Sequence, residues 1–162
     1  MYYSTDNKDY KILKTVDGSV NSYKYANNVA LQGTKVYFRV MAQKEMEGNT
    51  ISSQISSKVG KYLVDPVKAA KIYSRNQKLY MTWQKHKKCT GYLVNLTVKF
   101  NNKTKSKKFR IMSRKKNQLV LTTKQLQKKF KVPSGTKVSV VTWSVQAYYK
   151  SGKTYAYSEK VR

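Results

Sequence analysis

Three observations predict an all-β chain folded as two tandem β-sandwiches. Apolar and aromatic side chains recur at every second position in short runs, and Gly- or Asn-centred turns divide those runs every ten or so residues. The segment Gly33-Thr34-Lys35-Val36 returns 102 residues later as Gly135-Thr136-Lys137-Val138, a spacing of about one small domain. The charge also divides the chain: residues 1–66 hold 9 Lys and Arg against 6 Asp and Glu, whereas residues 67–162 hold 25 against the single Glu159. Net charges of +3 and +24 define two electrostatic units. The shift falls at Tyr62-Leu63-Val64-Asp65-Pro66-Val67, where Pro66 forces Asp65 toward extended backbone. Residues 1–62 are therefore expected to form one domain, 63–66 a linker, and 67–162 a second, strongly basic domain.

In the second unit, Ala70 to Tyr73 reads as a short first strand. Leu79, Met81 and Trp83 alternate inward on the next, and Tyr92, Val94, Leu96 and Val98 on the one after. Asn101-Asn102 occupies the place of a tight hairpin turn, since Asn tolerates positive φ. Phe109 and Ile111 lie on the return strand, and Leu119 and Leu121 on another. Thr123 to Phe130 is the one helical stretch, Thr-capped, with Leu126 and Phe130 four apart. The last two strands carry Val141, Trp143, Val145 and Ala147, then, after Gly152, Tyr155 and Tyr157. Seven short strands in about 96 residues match a two-sheet sandwich.

The first unit repeats only the later part of this pattern. Val36, Phe38, Val40 and Ala42 alternate, Gly48 marks a turn, and Ile51 and Ile55 follow in a Ser-rich segment. Nothing in it corresponds to residues 67 to about 90, so it is expected to lack its first two strands and the core Trp. The chain then reads as a piece of a longer multidomain protein, or as one whose open edge receives strands from another chain.

The stretch Leu79-Tyr80-Met81-Thr82-Trp83, then Cys89-Thr90-Gly91-Tyr92-Leu93-Val94, resembles strand B, its Trp, and the lead-in to strand C of bacterial fibronectin type III domains. Tyr3 to Asp6 and Tyr10 to Leu13 resemble strands C and C′, and Leu31-Gln32-Gly33-Thr34 through Ala42 the E–F corner and strand F. The resemblance implies fibronectin type III-like, immunoglobulin-like sandwiches, one incomplete and one complete. It implies no activity, because such folds host unrelated roles. The Tyr that ties down the corner in that family is replaced by Val36 and Val141, and the residues around Thr123 to Val132 are extra.

Composition excludes several chemistries. One Cys, Cys89, forbids an internal disulfide and multi-thiolate metal sites, and one His, His86, removes His-rich zinc sites. No phosphate loop, paired-carboxylate motif or metal-ligand spacing occurs, so no enzyme, cofactor or metal is expected. His86-Lys87-Lys88-Cys89 is the one pairing reminiscent of a nucleophile and base, but Cys89 stands where the resembled family often has Ala and reads as a small buried hydrophobe. No apolar run reaches the ~18 residues of a membrane span, and the N-terminus shows no signal segment.

The candidate site is the basic tract. Lys103, Lys105, Lys107, Lys108 and Arg110, joined by Arg114, Lys115 and Lys116, are expected to contact an anionic polymer together. Further lysines stand at Lys85, Lys87 and Lys88 and at Lys124, Lys128, Lys129 and Lys131. Tyr148, Tyr149, Tyr155 and Tyr157 around Gly152 offer stacking surfaces, of which alternation buries about half. Together these features describe a non-catalytic spacer or adhesion module of a bacterial surface or secreted protein, adjoining further domains, with its basic unit on wall polymer or glycan. The alternatives are a nucleic-acid-binding protein, for which charge is the whole case, and a decoration protein of a phage particle.

Overall fold

Alternating side chains build the elements of the computed structural model, which describes residues 1–25 and 33–162 and divides into two units, Met1–Leu63 and Val64–Arg162. The resembling residues Leu31 and Gln32 lie outside the described residues. In the first unit, β1 (Tyr2–Ser4), β2 (Lys11–Ile12), β3 (Lys35–Arg39), the hairpin β4 (Gln43–Met46) and β5 (Asn49–Ser52), and β6 (Val59–Tyr62) follow in order. Antiparallel pairing gives a sheet of order β2-β1-β3-β6, and Val36 at 0% exposure anchors its buried face.

Between β3 and β4 the serines keep the ribbon paired. The Val40 amide donates to Ser56 Oγ at 2.9 Å and the Ala42 amide to Ser53 Oγ at 3.1 Å, while the Ser56 and Ser53 amides donate back to the Val40 and Ala42 carbonyls. Glu47 and Gly48, at φ 50° and 79°, close the β4–β5 turn. The expected inward series ends early: Val40 is 52%, Ile51 54% and Ile55 40% exposed. Past Val40 the chain is a two-stranded ribbon, so its alternation has no second layer to pack against.

The second unit contains β7 (Lys71–Arg75), β8 (Lys78–Thr82), β9 (Gly91–Phe100), β10 (Lys103–Ile111), β11 (Gln118–Thr122), α1 (Thr123–Phe130), β12 (Ser139–Ser151) and β13 (Thr154–Tyr157). Its strands form two antiparallel sheets, β11-β8-β7 and β10-β9-β12-β13. Between them lie Leu79, Met81, Trp83, Tyr92, Val94, Leu96 and Val98, all buried, closed by Leu121, Phe130, Trp143, Val145 and Ala147. Such a pair of sheets around one apolar layer is a β-sandwich. The order β2-β1-β3-β6 repeats β10-β9-β12-β13, and among its described residues the first unit has no counterpart of the β11-β8-β7 sheet. Among the described residues the first unit thus lacks counterparts of the first two strands, β7 and β8, and of β11.

Local signals explain the joints. Asn101 and Asn102 adopt φ 43° and 57°, the left-handed pair that a two-residue hairpin turn requires. Thr122 caps α1 reciprocally with Gln125, its hydroxyl accepting from the Gln125 amide at 3.2 Å while Gln125 Oε1 accepts from the Thr122 amide at 3.0 Å. Val64, placed by its sequence in a linker, is 7% exposed and packs with Val67 into the second core.

Two expectations are corrected here. Val141 is 55% exposed because the β12–β9 register slips between Val140 and Thr142, which makes Val141 the extra residue of a bulge. In β13 it is Ala156 that packs on the core, and Tyr155 and Tyr157 point to the outer face.

Candidate functional site

The β10 sequence Lys-Thr-Lys-Ser-Lys-Lys-Phe-Arg-Ile divides its cations by parity. Phe109 and Ile111 pack on the core, so Lys103, Lys105 and Lys107 share their side of the sheet, and Lys108 and Arg110 take the other. On the inner side, Lys105 Nζ donates to the Phe130 and Lys131 carbonyls at 3.0 and 3.4 Å, and Lys107 Nζ to the Lys129 carbonyl at 3.0 Å. These carbonyls end α1, where helical hydrogen bonding leaves acceptors unpaired and the helix dipole is negative. Lys105 and Lys107 therefore cap a helix. Arg114 Nη1 donates to the Lys87 carbonyl at 3.2 Å, joining the loop after β10 to the one after β8. Lys103, at the start of β10, and Lys115 and Lys116, in the loop after it, are exposed.

The eight predicted cations consequently do not form one surface. The outer face of the β10-β9-β12-β13 sheet brings together Lys108 and Arg110 with groups that sequence reading left apart. Arg110 lies over the Tyr155 ring, 4.4 Å from its centroid, and its Nη2 donates to the Tyr157 hydroxyl at 3.2 Å. Tyr155 and Tyr157 are stacked with ring centroids 6.2 Å apart, and both touch Tyr148, which is only 1% exposed. Tyr149, one residue on, packs against the core. Leu93, Lys108, Arg110, Gln146 and Tyr157 line a shallow hollow of about 460 Å³. Beside it runs a polar stripe in which Asn95 Nδ2 donates to Ser144 Oγ at 3.3 Å and the Thr97 and Ser106 hydroxyls meet at 2.8 Å. No Asp or Glu occurs in any of the four strands. The signal for this cluster is in the sequence: Tyr155 and Tyr157 flank the small Ala156, and Arg110 flanks Phe109 and Ile111.

His86 and Cys89 are not arranged for nucleophilic catalysis. Cys89 Sγ donates to the His86 carbonyl at 3.8 Å, and His86 Nδ1 accepts the Lys88 amide at 3.1 Å. Burial pushes the thiol above its ordinary pKa and the imidazole below its own. A thiol reagent at pH 8 is thus expected to label Cys89 more than about tenfold more slowly in the native chain than in urea, because the thiol is both covered and protonated. Equal rates, followed by absorbance, would overturn this placement. Among the described residues no three His, Cys, Asp or Glu side chains converge as a metal site, and no helix is long and apolar enough to cross a membrane.

Comparison by sequence finds no matching family model and no matching curated protein. Among solved structures, the chain is similar to the chicken CNTN1 FN1-FN3 domains at 14% identity and a TM-score of 0.33. The match covers 81% of this chain and 42% of that one. At that score the fold assignment rests on the strand order and core described above.

Proposed function

We propose that the chain is a non-catalytic spacer or adhesion module of a bacterial surface or secreted protein, whose basic second unit contacts anionic cell-wall polymer or glycan. The observation that carries this reading is the uncompensated charge of residues 67–162, 25 Lys and Arg against one acid, on a sandwich whose interior is apolar. Solubility of a small domain needs a net charge of only about 2–8. The rest creates a field that concentrates polyanions and is screened within about 10 Å at 0.1 M salt.

The test is a titration of the whole chain with an anionic wall-type polyphosphate, an acidic glycan and duplex DNA at several salt concentrations. All three are expected to bind at low salt and to weaken by at least about tenfold between roughly 50 and 200 mM, as counterion release requires. Affinity for DNA alone that persists at high salt would replace this reading with nucleic-acid recognition. Absence of any binding at low salt would reduce the lysines to a solubility device.

A further inference from the structure

We propose that the outer face of the β10-β9-β12-β13 sheet is a binding site for a carboxylated glycan, with Arg110 as the carboxylate anchor. This deepens the polyanion reading above and rests on it. Three features of the face point to such a ligand.

The first is a positioned guanidinium. Arg110 is fixed between the Tyr155 ring and the Tyr157 hydroxyl. A guanidinium has five N–H donors in a planar fork, and the Tyr157 hydroxyl takes one of them. Holding the fork in place reduces the side-chain entropy lost when a carboxylate binds it in two-point fashion. Lys108, across the same hollow, adds a second cation.

The second is the polar lining. Gln146 in the hollow and Asn95 beside it carry side-chain amides, which can both donate and accept and so suit sugar hydroxyls; Gln146 is oriented by donating Nε2 to the Ser158 carbonyl at 2.7 Å, and Asn95 by donating Nδ2 to the buried Ser144 hydroxyl at 3.3 Å. Phosphate-rich polymers would use only the donors.

The third separates a glycan from a nucleic acid. Base stacking needs open aromatic faces in succession. Here the guanidinium of Arg110 lies over Tyr155, Lys150 Nζ is 5.8 Å from the same ring, and Tyr148 is buried. Tyr157, 39% exposed, is left to lie against a single sugar ring at the rim.

The experiment measures binding of a short oligogalacturonate to the full chain by calorimetry at fixed salt, with polyphosphate and duplex DNA alongside. Arg110→Lys keeps the net charge and removes the fork, so it is expected to weaken oligogalacturonate about fivefold or more and polyphosphate by less than about twofold. Lys124→Gln with Lys128→Gln removes two exposed charges on α1 that do not line the hollow and is expected to shift oligogalacturonate affinity by less than about twofold at moderate salt. Tyr157→Phe, which keeps the ring and loses the acceptor that holds Arg110, should lie between. Near-ultraviolet circular dichroism from Trp83 and Trp143 checks that each variant is folded.

If Arg110→Lys binds oligogalacturonate like the parent, or the Lys124 and Lys128 pair costs more than Arg110 does, the site is wrong and the generic polyanion reading stands. The glycan class is wrong if polyphosphate binds and oligogalacturonate does not. Should none of the polymers bind at low salt, both readings fail together.

Discussion

Replacing Trp83 with alanine is expected to destabilise the second unit by about 3–5 kcal/mol, the range for large aromatic deletions in cores. Trp83 is 2% exposed, its ring centroid lies 5.1 Å from that of Tyr92, and it sits between the two sheets with Met81 and Val94 in the same cluster. Its loss leaves a void that rigid strands on both sides cannot close. A domain of this size has a total stability of only about 5–15 kcal/mol, so the variant should unfold at much lower urea concentration. Trp83→Phe, which keeps an aromatic ring in the layer, should lose less. Urea unfolding followed by far-ultraviolet circular dichroism checks both, and a change below about 1 kcal/mol for the alanine variant would place Trp83 outside the core.

The inward series of the second unit was legible because every strand that faces a second sheet obeys a period of two, and Leu79, Met81, Trp83 and the β9 series are buried where alternation puts them. Alternation fails where two apolar neighbours adjoin: Val140-Val141 cannot say which is the extra residue of a bulge. It also leaves open which of two faces is the core, as in Tyr155-Ala156-Tyr157, where pairing of Ala156 with the core-packed Tyr149 decides the matter. In the first unit the same pattern persists over Val40 and Ile51 without a layer to cover it. The basic tract shows a different limit. Parity alone separates Lys105 and Lys107 from Lys108 and Arg110, but the capping role of the first two depends on α1 folding back beside β10, a tertiary event that leaves no mark on the β10 sequence.

Gly91→Ala is expected to be nearly as damaging as the loss of the Trp, although it adds one methyl group. Gly91 opens the central strand β9, pairs with Tyr148 on β12, and is itself buried. A Cβ built there runs into the Ile111 carbonyl oxygen of β10 and lies 2.8 Å from the Tyr148 hydroxyl. The side chain could rotate away, but the carbonyl belongs to the backbone of the adjoining strand, so relief requires moving β9 from β10. That shift would disturb Tyr92, whose hydroxyl accepts the His86 amide at 2.7 Å and donates to the Arg114 carbonyl at 3.2 Å. The cost should reach about 3 kcal/mol or more, at or above the upper end for overpacked sites. Gly18→Ala, where an added Cβ meets nothing within 4 Å, is the neutral control. The double variant Gly91→Ala with Tyr148→Phe removes the hydroxyl contact and leaves the carbonyl one, so it should recover none of the lost stability in urea unfolding. Full recovery in the double variant would mean that the tyrosine, and not the neighbouring backbone, makes this position glycine.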